Sequence, residues 1–134
     1  MIDTERVPDV EKVSISGLKD LKYQDKTLDG IPTLTQEDEL VTLAGWTDRV
    51  YLDSGEKQVL EGAANGGKII LKKTNLADTV VWNPWEKKAG EMGDLGSENW
   101  KGFVCVEAGQ CVTPVSLASG ESWECLHDLE FVRE

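Results

Sequence analysis

The stretch GFVCVEAGQ, Gly102 to Gln110, decides the fold class. Its apolar run from Phe103 to Val106 contains aromatic and β-branched side chains, which fit the pleated surface of a buried strand. Glu107 follows this run directly, so a carboxylate lies where the strand ends. Partial loss of water at such a position raises the pKa of a carboxyl group and makes it a better proton acceptor. Glu107 is therefore a candidate general base, and a solvated residue at the rim of a sheet is the alternative.

The rest of the chain continues this pattern of short runs separated by Gly, Asn, Asp and Pro, which predicts an all-β fold. Strands are predicted at residues 13–16, 40–46, 57–61, 68–73, 79–82, 103–107, 112–117 and 122–132. The segment Ala63 to Gly67 predicts a hairpin turn, because Asn and Gly tolerate positive φ. Residues 86–92 favour a helical turn, and residues 29–38 favour a polar loop. We expect one β-sandwich domain over residues 1–134.

Composition narrows the class of protein. A chain of 134 residues with 40% hydrophobic content and five tryptophans is long enough to bury a core. The net charge of -11 argues against binding to nucleic acid or to an anionic membrane. No apolar run approaches the roughly 20 residues that cross a bilayer. These features predict a folded domain without a membrane partner.

The cysteines and the N-terminal residues predict the compartment. Three cysteines, an odd number, fit reduced thiols better than a disulfide framework. No basic region followed by an apolar core is visible near Met1, so we expect no secretory signal and a cytoplasmic location. Cys105 and Cys111 form no CxxC pair, and we expect neither a metal site nor a cofactor.

Five motifs resemble, in order and spacing, the C-terminal signature of the hexose-6-phosphate mutarotases. These enzymes are also called glucose-6-phosphate 1-epimerases and belong to the aldose 1-epimerase superfamily. The motifs are VSISGLKDLKYQDK (13–26), GWTDRVYLD (45–53), VVWNPWEKKAGEMGD (80–94), GFVCVEAGQ (102–110) and PVSLASGESWE (114–124). The resemblance covers nearly the whole chain but only about the C-terminal half of a family member. It implies part of a galactose-mutarotase-like sandwich.

The resemblance also implies a reaction. In the family, a glutamate takes the proton of the anomeric hydroxyl while a histidine donates a proton to the ring oxygen. The ring opens, the aldehyde carbon rotates, and closure on the other face gives the second anomer. The family's glutamate matches Glu107, and its substrate-binding carboxylate matches Asp48. We add Arg49 and Trp82 as candidates for binding a small sugar phosphate, through charge and through an aromatic face.

The acid of this pair has no match. In the family the histidine lies a few residues before a segment that resembles Arg6 to Val10, which places it near Ile2. The chain has one histidine, His127, in the predicted terminal strand, where a surface or core position is the simpler interpretation. We therefore expect little turnover by this chain alone.

Ordinary structural roles remain open for most of these residues. Asp48 can be a turn residue paired with Arg49, and Asp25 can cap the turn that follows it. Trp82 can pack in the core as readily as it can line a sugar site. Most members of the set Lys72, Lys73, Lys87 and Lys88 are expected to be ordinary solvated lysines.

Three hypotheses follow. The first is an isomerase that interconverts the α and β anomers of an aldohexose 6-phosphate. The second is a non-catalytic carbohydrate-binding sandwich. The third is a structural remnant that pairs with another chain, because half of a large sheet structure leaves strand edges and apolar surface uncovered. The third predicts self-association through exposed sheet edges.

Overall fold

The computed structural model describes residues 4–63 and 66–133. These residues form ten strands in two antiparallel sheets. They are β1 (Thr4–Arg6), β2 (Ser14–Ser16), β3 (Lys22–Asp25), β4 (Thr33–Thr35), β5 (Thr47–Tyr51), β6 (Lys57–Glu61), β7 (Lys68–Thr74), β8 (Asp78–Asn83), β9 (Phe103–Gly109) and β10 (Leu126–Val132). The helix α1 spans Trp85–Glu91, and 3-10 turns lie at Val10–Lys12 and Asn99–Gly102. The prediction of an all-β sandwich is confirmed.

The sheets differ in size. Sheet A has six strands in the order β1-β9-β8-β5-β3-β4, and sheet B has four in the order β10-β7-β6-β2. Val104 and Val106 of β9 lie in one buried cluster with Leu60 of β6 and Leu71 of β7. The core is therefore formed by one face of each sheet, as alternating side chains require.

The register of sheet A determines which residues share a face. Val81 on β8 lies opposite Arg49 on β5 and Val106 on β9, and Val81 and Val106 are fully buried in the core. Residues directly opposite each other on antiparallel strands point to the same side of the sheet, and their sequence neighbours point to the other side. Asp48, Trp82 and Glu107 therefore point away from the core, on the outer face of sheet A.

Two predicted strands are wrong. Residues 40–46 precede β5 as a loop and make only one isolated bridge, between Val41 and Ile15. Val41 and Leu43 are buried from this loop, so their apolar character reflects packing without a strand. Residues 112–117 also form no strand and are exposed. Pro114 lacks the N–H that a ladder needs, which disfavours pairing there.

Other local predictions are confirmed or corrected. The hairpin of β6 and β7 forms, although Ala64 and Asn65 at its turn lie outside the described residues. The predicted helical turn is α1, whereas β4 replaces part of the predicted loop 29–38. Lys73 is buried rather than solvated, and its Nζ donates to the Leu76 carbonyl at 2.5 Å.

None of the helices in the part of the chain that the structure describes is long and apolar enough to cross a membrane.

Candidate active site

The central strands β5, β8 and β9 place three candidate side chains on the outer face of sheet A. Asp48 lies directly opposite Trp82, and Trp82 lies directly opposite Cys105. Glu107 is two residues further along β9, opposite Val80. Two strand spacings and two residues separate Asp48 from Glu107, so their Cα atoms are roughly 12 Å apart. A hexose above the ring of Trp82 would lie between the strand positions of these two residues.

All three side chains are half-buried, a condition that suits chemistry on a bound sugar. The sheet around them is well packed, because Cys105 and Val50 on the same face are each 2% exposed. A rigid strand holds each carboxylate by its backbone, whereas a loop would leave its position less defined. The outer face thus presents two acidic groups and one aromatic ring in fixed register.

Burial perturbs the Asp48 carboxylate. Loss of water raises the pKa of Asp48 above its ordinary value of 3.8; the nearby Lys26 opposes this shift, and the charge of Asp25 adds to it. The Lys26 backbone N–H also donates to the Asp48 carbonyl at 2.8 Å. A carboxylate that is kept partly dry in the folded protein is characteristic of a binding or catalytic site.

This shift makes Asp48 a residue whose replacement should stabilise the fold. Because the pKa is raised in the folded state, burying the charged form costs free energy above that pKa, and the cost disappears as the pH falls through it. We expect Asp48→Asn to be more stable than wild type near neutral pH, by less than about 1 kcal/mol for a half-exposed group. The gain should shrink towards about pH 3, where wild-type Asp48 is protonated.

Urea unfolding of both proteins at the two pH values measures this difference. Asp29→Asn, in an exposed loop, is the matched control and should change the free energy of unfolding little at either pH. Lower stability of Asp48→Asn than of wild type at neutral pH would contradict a desolvated Asp48.

A cavity of about 580 Å³ lies beside this face at Trp82. Its wall is formed partly by Arg6 and Phe103, and partly by the segment that follows α1; the lining residues are Arg6, Trp82, Met92, Asp94, Leu95, Asn99, Gly102 and Phe103. The rings of Trp82 and Phe103 lie 5.9 Å apart at a tilt of 41°. Trp82 therefore lines the cavity and also lies opposite Asp48 on the outer face of sheet A. Asp48 and Glu107 do not line the cavity.

Arg49 does not share the site. It follows Asp48 in β5 and so points to the opposite side of the sheet, where its Nη1 donates to the Tyr51 hydroxyl at 3.2 Å. Its guanidinium lies 4.8 Å from the centre of the Tyr23 ring. The Tyr51 hydroxyl in turn donates to the Gln36 Oε1 at 2.8 Å. Arg49 thus belongs to a polar network on the inner side of sheet A.

Asp25 and Trp85 also have structural roles. One carboxylate oxygen of Asp25 accepts from the backbone N–H and the hydroxyl of Thr27, which is the turn cap that the sequence suggested. Trp85 packs against the core cluster and stacks on Trp100 at 4.4 Å. Neither residue lies with Asp48 and Trp82 on the outer face of sheet A.

Sequence reasoning missed two cations near the site. Arg6 on β1 lies opposite Phe103, two residues from Cys105, and so shares the outer face. Lys26 lies beside Asp48, as its backbone hydrogen bond and its effect on the Asp48 pKa show. Alternation within a strand could have placed Arg6 on one face of β1, but only the pairing of β1 with β9 brings it beside Phe103.

The acid of the pair is not assigned by the geometry. Residues 1–3, near which the resemblance places the family's histidine, lie outside the described residues. His127 is on β10 of sheet B, opposite Lys73, and not on sheet A. Residues 4–63 and 66–133 contain no group of three or more His, Cys, Asp or Glu side chains placed to hold a metal ion.

Known proteins resemble this chain in sequence and in fold. The aldose 1-epimerase family model matches residues 6–126. The chain is 32% identical over 117 residues to a protein of Cenchrus ciliaris provisionally named glucose-6-phosphate 1-epimerase, covering 87% of this chain and 35% of that protein. It is 36% identical over 101 residues to a provisionally so-named protein of Escherichia coli K12, covering 75% and 34%.

Two solved structures share the fold. A crystal structure of YeaD from Salmonella typhimurium, provisionally described as a mutarotase, matches with a TM-score of 0.72 at 31% identity, over 78% of this chain and 35% of that one. HI1317 matches with a TM-score of 0.76 over 96% and 43%, and at 16% identity it supports the fold alone. The chain spans about a third of the length of the curated relatives it matches, less than the half expected from the motifs. The chain belongs to the aldose 1-epimerase family.

Proposed function

We propose that this chain supplies the base and the hydroxyl-binding carboxylate for interconversion of the α and β anomers of an aldohexose 6-phosphate. The observation that carries the proposal is the shared face of Asp48, Trp82 and Glu107, which the register of β5, β8 and β9 produces. Family membership supports anomer interconversion in general. The roles of the three side chains, the identity of the hexose and the phosphate requirement are the proposed part.

Each side chain has one role in the reaction. Glu107 accepts the proton of the anomeric hydroxyl, and the electrons of that O–H bond form the carbonyl as the bond from C1 to the ring oxygen breaks. The ring oxygen takes a proton from an acid. Rotation about the bond between C1 and C2 presents the other face of the aldehyde, and the reverse proton transfers close the ring.

Asp48 and Trp82 orient the sugar for these steps. Asp48 accepts hydrogen bonds from ring hydroxyls, and its low hydration strengthens them. The face of Trp82 contacts the C–H side of the ring. Arg6 and Lys26 are the cations that we propose for a phosphate group on this side of sheet A, and Arg49 is not used because it points inward.

The missing acid suggests the experiment. General acids contribute about 100- to 10,000-fold to such reactions, so the chain alone should exchange anomers slowly. Imidazolium in the buffer can replace an absent histidine as the acid. We expect exchange of glucose 6-phosphate anomers, measured by NMR exchange spectroscopy, to rise with imidazole in the presence of the chain and to exceed the rate with imidazole alone.

Two controls define the outcome. A sterically similar buffer without a proton-donating ring nitrogen should leave the rate near the spontaneous value. Asp48→Ala should weaken saturation by the sugar while the imidazole dependence persists. If imidazole and the chain together give no more exchange than imidazole alone, the proposed base is not acting.

A non-catalytic carbohydrate-binding role is the second candidate. The half-buried ring of Trp82 between two carboxylates supports it, because such a surface can bind a sugar without turning it over. A change in tryptophan fluorescence on addition of the sugar, with no imidazole-dependent exchange, would select this role.

Self-association through sheet edges and a cytoplasmic location stay predictions. The edges formed by described strands are β1 and β4 in sheet A and β10 and β2 in sheet B. Light scattering over a range of concentrations tests self-association, and a mass that stays constant at that of one chain would contradict it.

A further inference from the structure

The edge strand β10 differs from the other three edges in its length and its exposed apolar side chains. It has seven residues and, among the described strands, pairs only with β7. Leu126, Leu129 and Phe131 are 53%, 49% and 47% exposed. An exposed edge of this kind is a template for pairing with another strand. Only Leu126 of β10 falls within the segment that the family model matches.

The two sides of β10 have different chemistry. Leu129 lies opposite Leu71, a core residue, and Phe131 lies opposite Ile69, which packs against the core. These two side chains therefore extend the inner apolar face of sheet B to its edge. The Phe131 ring lies over Gly67, where an added Cβ would come within 2.7 Å of it. The inner face of sheet B thus ends, at the β10 edge, in two exposed apolar side chains.

The other side of β10 carries Leu126 and Val132 near its ends and two acidic residues between them. Asp128 and Glu130 alternate with Leu129 and point to the outer face of sheet B, where both are exposed. Asp128 has Lys72 directly opposite on β7, whereas Glu130 has Ile70. A strand added to the free edge would place two of its side chains beside these carboxylates.

A second copy of the chain fits this edge poorly. In the antiparallel register that puts Leu129 of one copy opposite Leu129 of the other, each Asp128 lies opposite a Glu130. A shift of two residues in either direction places Glu130 opposite Glu130 or Asp128 opposite Asp128. Like charges directly opposite each other destabilise a strand pair.

We propose that the free edge of β10 binds a strand from another polypeptide in which apolar residues alternate with lysine or arginine. The apolar side chains would cover Leu129 and Phe131, and the basic ones would pair with Asp128 and Glu130. Backbone hydrogen bonds along the edge provide affinity, and the alternating side chains provide specificity. The charge of this surface selects the partner.

The probes are three fluorescent peptides of about nine residues, the length of a long strand. The first alternates valine and lysine, the second alternates valine and glutamate, and the third carries a proline at the centre of the valine–lysine peptide. We expect the full chain to bind the first about tenfold or more tighter than the other two, measured by fluorescence anisotropy. Proline removes a backbone donor and should prevent strand addition.

Charge reversal on the protein provides the matched test. Asp128→Lys/Glu130→Lys should reverse the preference to the valine–glutamate peptide. Glu37→Lys/Glu86→Lys makes the same change in net charge at exposed sites outside sheet B and should keep the wild-type preference. Phe131→Ser should weaken binding of the first peptide without reversing the preference.

Three results would overturn the proposal. Equal binding of the proline peptide would show that no strand is added, and reversal by Glu37→Lys/Glu86→Lys would show a diffuse charge effect. A wild-type dimer in light scattering that Glu130→Pro dissociates would assign the edge to a second copy. Under the proposal, wild type forms no such dimer, whereas Glu130→Lys favours one because each introduced lysine would face an Asp128.

Discussion

The Glu107→Gln variant is expected to exchange glucose 6-phosphate anomers no faster than imidazole alone, even where the wild-type chain with imidazole is active. Glutamine has nearly the same shape, so β9 and its pairing with Val80 should be retained. Its amide, however, cannot accept the anomeric proton near neutral pH. Loss of a general base costs about 100- to 10,000-fold, which removes any acceleration that this chain can provide.

Glu61→Gln is the matched control for this change. Glu61 is a strand glutamate as well, the last residue of β6, but it lies in sheet B and is exposed. We expect it to exchange anomers at the wild-type rate, and circular dichroism should show both variants folded. Activity of Glu107→Gln equal to that of Glu61→Gln would remove Glu107 from the mechanism. Binding of the sugar by the inactive Glu107→Gln, detected by Trp82 fluorescence, would still support a sugar site on this face.

Part of the site can be predicted from the sequence, because successive side chains of a strand point to opposite faces of the sheet. The apolar run that ends at Glu107 identifies β9, and its alternation places Phe103, Cys105 and Glu107 on one face. The same reasoning applied to Asp48 and Arg49 separates them, since consecutive residues of a strand point to opposite faces. Treating these two as one binding motif overlooked that rule.

The register between paired strands cannot be predicted from this single sequence. Nothing local states that Asp48 lies opposite Trp82 or that Trp82 lies opposite Cys105, because these pairs join residues far apart in the chain. The same gap explains the wrong strands at 40–46 and 112–117. Both segments have apolar and β-branched residues, yet a strand forms only where another strand offers its backbone.

The turn Asn83-Pro84-Trp85 between β8 and α1 is held by hydrogen bonds of the Asn83 side chain. The Asn83 side chain is fully buried, and its Nδ2 donates to the carbonyls of Trp100 and Phe103, each at 2.9 Å. Its Oδ1 accepts from the Trp85 backbone N–H at 2.8 Å. One amide thus joins the end of β8, the start of α1 and the start of β9.

This amide also holds a strained residue in place. Trp85 has a φ of 61°, in the left-handed region that costs free energy for a side chain of this size. The hydrogen bond from its N–H to Asn83 stabilises that conformation and keeps the Trp85 ring stacked on Trp100. The segment after α1 then forms part of the cavity wall beside Trp82. Asn83 therefore supports the site without touching a substrate.

Asn83→Ala should consequently be among the most damaging single substitutions in the chain. It removes three hydrogen bonds and leaves the buried Trp100 carbonyl and the part-buried Phe103 carbonyl without this donor, at up to about 1–3 kcal/mol each. We expect the free energy of unfolding to fall by about 3 kcal/mol or more, measured by urea unfolding with tryptophan fluorescence. The slope of the transition should stay similar if the loss is one of stability rather than of compactness.

Asn75→Ala is the control that separates a buried amide from an exposed one. The Asn75 Nδ2 makes one hydrogen bond, to the Glu124 carbonyl, at an exposed position. Its loss should cost about 0.5–1.5 kcal/mol, because water can replace the donor, and alanine at the Asn75 φ of 59° should add about 1 kcal/mol of backbone cost. Asn83→Asp sharpens the comparison, since near neutral pH it presents a carboxylate to two carbonyl oxygens and should be at least as damaging as Asn83→Ala. Equal costs for Asn83→Ala and Asn75→Ala would mean that the turn, and the cavity wall that depends on it, is held by other contacts.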